Sequence, residues 1–197
     1  MMQGLQAMKD SAALLVYWDG EASDISWPEP CIVEYVTNGQ GGINSMSKEA
    51  VNAMIADQDM SVHDLISIGN IRKKYPPQTS TEKTVMQTVI GDMMSVYPSE
   101  SYGIIFGSHG SGWLPTITGT RSIGQDGGRY SSDTALIPEL AEVLRTVNPQ
   151  KFDFVLFDAC MMGCAVHGIY IGKIYYGRFI SQMFQRYIRQ IEMYAFQ

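Results

Sequence analysis

The chain contains the two residue types that form a cysteine nucleophile and its base: His109 in "SHGSGW" and Cys160 in "FDFVLFDACMMG". A cysteine attacks a carbonyl carbon efficiently only as the thiolate or with a base beside it. Histidine is the usual base because its ordinary pKa lies near neutral pH. The backbone N–H groups of Gly110 and Cys160 are candidate donors to the oxyanion that such an attack creates. These residues predict a Cys/His dyad with an oxyanion hole.

Each member of the predicted dyad follows a short apolar run typical of a buried β-strand, residues 102–108 before His109 and 152–157 before Cys160. A helix that starts near Pro138 is predicted between the two strands. Alternating strands and helices, with both strand faces apolar, predict a parallel sheet covered by helices. Ligands bind beyond the carboxyl ends of such strands. If the two strands are neighbours, His109, Asp158 and Cys160 meet at one edge.

The remaining elements fit an α/β protein. Residues 12–18 and 31–36 are predicted strands, and residues 47–57 are a predicted helix with Ser47 as its N-cap. A capping-box spacing precedes a second helix at about 80–96. Residues 119–133 are polar and glycine-rich, and we predict an irregular loop there.

The composition is that of an ordinary globular protein, with 45% hydrophobic and 17% charged residues. A net charge of −6 argues against nucleic acid as a partner. No apolar run approaches the roughly 18 residues of a membrane span, so a membrane partner is not expected. The first residues lack the pattern of a secretory signal peptide.

The chemistry of the chain changes near residue 164. Residues 1–164 carry 10 basic and 19 acidic side chains, whereas residues 165–197 carry four basic side chains and one acidic one. We therefore predict a core over 1–164 and an atypical helical tail over 165–197. Apolar residues in the tail recur at helical spacing, which fits a helix docked on its own domain, on a membrane or on another chain.

The spacing of the dyad leads to a family resemblance. His109 precedes Cys160 by 51 residues, close to the separation of about 50 residues in caspases. The two quoted motifs resemble the clostripain family of cysteine endopeptidases, relatives of caspases, gingipains and legumain, and the resemblance covers most of residues 12–164. It implies a caspase-like sandwich with a mostly parallel central sheet and helices on both faces, which we expect to be incomplete here. It also implies that His109 is the general base or acid and Cys160 the nucleophile.

The resemblance implies cleavage after Arg or Lys, with Asp158 lining the pocket for the basic side chain. A carboxylate in a partly desolvated pocket selects a cation and binds Arg especially well. Family members also cut their own chain after a basic residue, which indicates Arg129 and, as second choice, Arg121. The resemblance implies an extracellular or cell-envelope location, and it implies calcium for only part of the family. We expect no other cofactor.

Three other readings compete with a working peptidase. The chain resembles only part of the family's length, which favours a non-catalytic or inactive truncated domain that binds a partner or a basic peptide. A zinc site built from His109, Asp158, Cys160 and Cys164 fits no closed zinc-finger spacing. A serine hydrolase site at Ser111 does not match G-x-S-x-G. The natural substrate and the oligomeric state do not follow from the sequence.

Overall fold

The computed structural model describes residues 13–19, 29–56, 61–107, 122–126, 133–148, 152–158 and 175–181. The helices in these ranges are α1 (Lys48–Ala56), α2 (Val62–Ile68), α3 (Lys83–Val96) and α4 (Ile137–Val147). The strands are β1 (Ala13–Trp18), β2 (Cys31–Val36), β3 (Asn70–Lys74), β4 (Gly103–Gly107), β5 (Ser122–Asp126), β6 (Asp133–Leu136), β7 (Phe152–Asp158) and β8 (Tyr175–Ser181). The chain divides into two compact units, residues 1–78 with 92–97 and residues 79–91 with 98–197.

The first unit is built on an antiparallel sheet in the order β1-β2-β3. Its central strand β2 is buried along almost its whole length, as expected for an apolar strand with a neighbour on each side. One face of β2 packs against the following loop and the helices α1 and α2. The buried residues of this core are Cys31, Val33, Tyr35, Ile43, Val51 and Ile66.

Asn44 fastens the loop after β2 to the rest of the first unit. Its φ of 52° lies in the left-handed region, which asparagine adopts more readily than most residues. Its side-chain oxygen accepts a hydrogen bond from the Val36 N–H at 2.9 Å. Its amide nitrogen donates to the carbonyl oxygens of Ile68 at 2.8 Å and Glu34 at 3.3 Å. One side chain therefore satisfies backbone groups of β2 and of the last residue of α2.

The second unit contains a parallel sheet in which β7 lies between β4 and β8. The connection from β4 to β7 includes α4, as a parallel crossover requires. Leu140, Val143 and Leu144 of α4 are fully buried, which confirms the predicted apolar face of this helix. The strands β5 and β6 form a separate antiparallel pair.

The mixed α/β class is confirmed, and so are the helices predicted at 47–57, at about 80–96 and from Pro138 onward. Ser47 caps α1, since its hydroxyl oxygen accepts a hydrogen bond from the Ala50 N–H at 3.3 Å. The helix predicted at about 80–96 begins at Lys83. A backbone hydrogen bond of 3.0 Å from Glu82 to Thr79 forms a turn just before it.

The prediction of one mostly parallel central sheet is wrong for the first unit, whose strands pair antiparallel. A parallel pair needs a crossover, usually a helix. Residues 19–30, which join β1 and β2, contain Pro28 and Pro30 and no apolar helical repeat. An antiparallel pair of β1 and β2 needs no such crossover, so it fits this connecting segment better than a parallel pair does. The coverage of a single sheet by helices on both faces stays a prediction.

Three more elements differ from the sequence-based expectations. The segment 119–133, predicted as an irregular loop, contains β5 and the first residue of β6. In the sequence, Gly127 and Gly128 stand between these two strands, and glycine is favoured in connections between antiparallel strands. Within the tail predicted to be helical, residues 175–181 form the strand β8. The tail residues after 181 lie outside the described residues, and the division at residue 164 stays a prediction.

Gly69 and Gly91 form a matched pair that tests the packing of this fold. A Cβ at Gly69 would overlap the buried Val33 side chain and come within 2.9 Å of the Tyr35 ring. Around a Cβ at Gly91, no described atom lies within 4 Å apart from its chain neighbours and the backbone of its own helix. We expect Gly69→Ala to lower the free energy of unfolding by about 2 kcal/mol through overpacking. Gly91→Ala should raise it by about 0.5 kcal/mol through helix propensity. Urea unfolding measures both, and equal effects of the two changes would contradict the packing.

Candidate active site

Of the predicted site residues, Asp158 is the one whose backbone lies in the part of the chain that the structure describes. Asp158 is the last residue of β7, and its backbone pairs with β4. The other predicted site residues lie outside the described ranges: His109, Gly110, Arg121, Arg129 and Cys160. The dyad itself therefore stays a prediction. The structure describes the two strands that precede its members, β4 and β7.

Strands β4 and β7 are direct neighbours and run parallel, which is the condition that the sequence analysis set for a shared edge. Their register pairs Phe106 with Phe157 and Gly107 with Asp158. Both strands therefore end at the same level of the sheet. In the sequence, His109 stands two residues after the end of β4, and Cys160 stands two residues after the end of β7.

Aromatic packing holds the two strand ends in register. Phe157 is fully buried, as is Val155 two residues earlier. The rings of Phe106 and Phe157 stack at a centroid distance of 5.5 Å and an interplanar angle of 19°. A shift of β7 by one residue would turn Phe157 to the opposite face, so burial of this side chain fixes where Asp158 lies.

Polar contacts tie down the opposite end of the same strand pair. The Asp153 N–H donates to the carbonyl oxygen of Tyr102 at 2.8 Å. The Ser101 hydroxyl donates to the Asp153 carboxylate. The Ser99 N–H donates to the Tyr102 hydroxyl at 2.7 Å. These contacts hold the start of β4 next to the start of β7, at the opposite end of the strand pair from the packed aromatic rings.

The strand β8 completes the described sheet next to β7, and the sequence analysis did not predict it. Its register pairs Leu156 with Ile180 and Phe157 with Ser181. The aromatic and β-branched residues of "YYGRFIS" are a strand signal. This signal overlaps the beginning of the helical apolar repeat, which led to the prediction of a helix. A third strand therefore ends one residue before the level at which β4 and β7 end.

A second group of titratable side chains lies in the first unit. Asp92 accepts hydrogen bonds from the Lys73 ammonium at 2.5 Å and the Tyr75 hydroxyl at 2.7 Å. The Lys73 ammonium also lies 5.2 Å from the centroid of the Tyr75 ring. The Tyr17 ring meets the Tyr75 ring edge-on at 5.8 Å, and Gln78 donates to the Tyr17 hydroxyl at 2.9 Å. This Tyr75–Asp92 cluster joins the ends of two strands to the last part of α3.

The Tyr75–Asp92 cluster is suited to holding structure and not to proton transfer. Burial, together with the adjacent Asp92, raises the pKa of Tyr75 far above its usual value. Partial burial alone would raise the pKa of Asp92, but the hydrogen bonds from Lys73 and Tyr75 outweigh it and the pKa falls below the usual range. Both groups move away from the neutral values that acid–base catalysis requires.

Cys31 is also unsuited to act as a nucleophile. Its side chain is buried in the core of the first unit. Burial raises the pKa of the Cys31 thiol, although the nearby Lys74 opposes this effect. A buried thiol with a raised pKa carries little thiolate at neutral pH.

The described residues contain no group of three or more His, Cys, Asp or Glu side chains that could hold a metal ion. None of the described helices is both long enough and apolar enough to cross a bilayer.

Comparisons with known proteins agree with the resemblance. The profile of the clostripain family matches residues 1–166. A secreted C11 cysteine protease from Bacteroides thetaiotaomicron, solved with an irreversible peptide inhibitor, is 28% identical with a TM-score of 0.58. An inactive zymogen C11 protease from Parabacteroides distasonis is 22% identical with a TM-score of 0.57, and this similarity concerns the fold alone.

This chain spans only part of those proteins. Each of the two alignments covers 88% of this chain but 39% of the solved relative. No curated protein sequence matches the chain.

The hydrogen bonds to Asp92 predict a pH-dependent contribution to stability. A carboxyl group whose pKa is lowered on folding stabilises the protein above its unfolded pKa, and this stabilisation is lost as the pH falls through the folded value. We expect Asp92→Asn to lower the free energy of unfolding at pH 7 by about 1 kcal/mol. The difference from the wild type should shrink below about pH 3.9.

The matched control for Asp92→Asn is Glu29→Gln. The Glu29 carboxylate is 69% exposed and lies 3.3 Å from Lys74, so its loss should change stability little. Urea unfolding between acidic and neutral pH measures both variants. A loss in Asp92→Asn that is independent of pH would contradict the assignment.

Proposed function

This chain belongs to the clostripain family, and we propose on that premise that it is a cysteine endopeptidase that hydrolyses peptide bonds after Arg or Lys. The observation that carries the proposal is the parallel pairing of β4 with β7, in which Gly107 lies opposite Asp158. The chain leaves the sheet at two adjacent points, two residues before His109 and two residues before Cys160. Short connections of this kind support a dyad between the two side chains.

In the proposed reaction the Cys160 sulfur attacks the carbonyl carbon of the scissile peptide bond. His109 takes the thiol proton and donates it to the departing amine, so that a thioester remains on Cys160. The backbone N–H groups of Gly110 and Cys160 stabilise the negative oxygen of the tetrahedral intermediate. Water, activated by His109, then hydrolyses the thioester and restores the thiol.

Asp158 is the proposed selector of the basic substrate side chain. It stands two residues before the nucleophile and ends a strand whose preceding residue, Phe157, is fully buried. A carboxylate at the end of such a rigid element pairs well with a guanidinium or ammonium group because it loses little freedom on binding. The proposed partner is therefore a peptide or protein with Arg or Lys on the carbonyl side of the cleaved bond.

The solved relative from B. thetaiotaomicron supports two further parts of the proposal. It is described as secreted and as binding an irreversible peptide inhibitor. We accordingly propose an extracellular or cell-envelope location for this protein and an extended peptide as its substrate.

Replacement of the nucleophile tests the proposed reaction directly. We expect the wild type to hydrolyse short fluorogenic peptides ending in Arg or Lys in strong preference to Asp or Leu. Cys160→Ala should abolish this hydrolysis, and Cys164→Ala, four residues away, should retain it. Asp158→Asn should remove the preference for basic peptides, with a loss of about 10²-fold in kcat/KM for Arg.

Two outcomes would overturn the proposed reaction. The first is hydrolysis that persists in Cys160→Ala. The second is the absence of hydrolysis of all four peptides by folded wild-type protein, which would favour a binding domain over a peptidase.

Self-cleavage provides a separate prediction. We propose that the protein cuts its own chain after Arg129, or after Arg121 as second choice, because both are basic residues between the predicted catalytic segments. Mass spectrometry of the purified wild type should show two fragments, and Arg129→Ala should prevent the main cut. An intact mass in protein that hydrolyses peptides would contradict self-processing.

A further inference from the structure

The strand β3 contains the one run of three consecutive basic residues in the sequence, Arg72-Lys73-Lys74. All five residues of β3 are exposed, and the three basic side chains expose between 43% and 59% of their surface. A strand is already extended, which is the form in which a peptide adds its backbone edge to a binding cleft. For a peptidase that cuts after Arg or Lys, β3 is therefore a possible substrate within the protein itself.

Each basic side chain of β3 pairs with a carboxylate from a different segment of the first unit. The partners are Asp92 of α3 for Lys73 at 2.5 Å, Glu29 for Lys74 at 3.3 Å and Glu34 of β2 for Arg72 at 3.8 Å, measured from nitrogen to oxygen. A peptidase selects a basic side chain by pairing it with a carboxylate of its own. Cleavage in β3 therefore requires a basic side chain to leave the carboxylate that now holds it.

The contact with Asp92 holds β3 more firmly than the other two contacts do. The Asp92 carboxylate also accepts a hydrogen bond from the Tyr75 hydroxyl at 2.7 Å, and the Lys73 ammonium lies 5.2 Å from the centroid of the Tyr75 ring. The Tyr75 N–H donates to the Pro30 carbonyl oxygen at 2.8 Å. The residue after β3 is thus fixed by its backbone and by its side chain. Exposed pairs such as Lys74 with Glu29 contribute little by comparison.

We propose that Asp92 protects β3 from cleavage after its basic residues, so that the protein does not cut this strand by its own activity. This inference rests on the proposed function. In each such cut, water adds its hydroxyl to the carbonyl carbon of the basic residue and its remaining proton to the departing amine. A folded segment is cut through local opening, and the rate follows the population of the open form. The hydrogen bonds to Asp92 lower this population because they must break before Lys73 can leave the sheet.

Limited digestion with trypsin tests the protection of β3 without the protein's own activity. Trypsin cuts after Arg and Lys, and Cys160→Ala protein serves as the background. Mass spectrometry over time measures the rate of cuts after Arg72, Lys73 and Lys74. We expect Asp92→Asn, added to Cys160→Ala, to raise this rate by about fivefold, because the open form becomes more populated.

The matched control is Glu29→Gln in the same background, which removes an exposed partner of the same strand. It should change the rate of cuts in β3 by less than about twofold. Tyr75→Phe keeps the ring and removes one hydrogen bond to Asp92. It should raise the rate by about threefold, and it keeps the test valid if Asp92→Asn fails to fold.

Cuts after Lys48 provide an internal reference, because Lys48 is an exposed residue of the same unit at the start of α1. Asp92→Asn should leave the rate of these cuts unchanged. A rise after Lys48 equal to the rise in β3 would overturn the inference, because unfolding of the whole unit would then explain both.

A second arm of the experiment separates this inference from the proposed function. Asp92→Asn protein that retains Cys160 should cut itself in β3 during incubation, whereas the wild type should leave β3 intact. Equal rates of trypsin cleavage of β3 with and without Asp92→Asn would overturn the inference and leave the peptidase proposal intact. If trypsin cuts β3 faster in Asp92→Asn, but the protein that retains Cys160 cuts neither itself nor basic peptides, the protection holds and the peptidase proposal fails.

Discussion

The parallel pairing of β4 with β7 is the interaction on which the candidate site depends. It sets the ends of the two strands at one level and so determines where the chain departs toward His109 and Cys160. Each backbone hydrogen bond of such a pair adds only about 1 kcal/mol net. The register is secured mainly by burial, because a slip of one residue would expose Phe157, whose transfer to water costs about 2–3 kcal/mol.

The two faces of this sheet differ in how deeply their side chains are buried. Val155 and Phe157 lie on one face and are fully buried, and Phe106 stacks on Phe157 to lock the strand ends together. Phe154, on the other face, is 39% exposed. The buried face therefore makes the strand ends rigid, and a rigid edge reduces the entropy lost when a ligand binds.

The sequence predicted the elements whose apolar pattern is strong. The strands β4 and β7 and the helix α4 were all predicted, because apolar runs and helical apolar repeats indicate which residues are buried. The strand β3 was missed because its five residues are all exposed and mostly polar. The antiparallel sheet of the first unit was missed because composition does not specify the direction of pairing. The strand β8 was predicted as helix because its last residues overlap the start of the helical apolar repeat of the tail.

The candidate site was predictable in part. The apolar strands indicated that Asp158 would stand at the carboxyl end of a strand, and it does. The register that places Gly107 opposite Asp158 depends on tertiary packing of Phe106 and Phe157, which no local pattern encodes. The Tyr75–Asp92 cluster brings together residues distant in sequence, and its polar members carry no periodic signal.

The central claim is that the β4–β7 edge brings a histidine to a cysteine and activates it. The most direct test is the rate of iodoacetamide alkylation at each cysteine, followed by mass spectrometry across pH in wild type and in His109→Ala. We expect Cys160 of the wild type to react far faster than Cys31 or Cys164 at about pH 6. His109→Ala should return Cys160 to the profile of an ordinary thiol with a pKa of about 8.5. A Cys160 that reacts no faster than Cys164 at this pH, or that does not respond to loss of His109, would contradict the central claim.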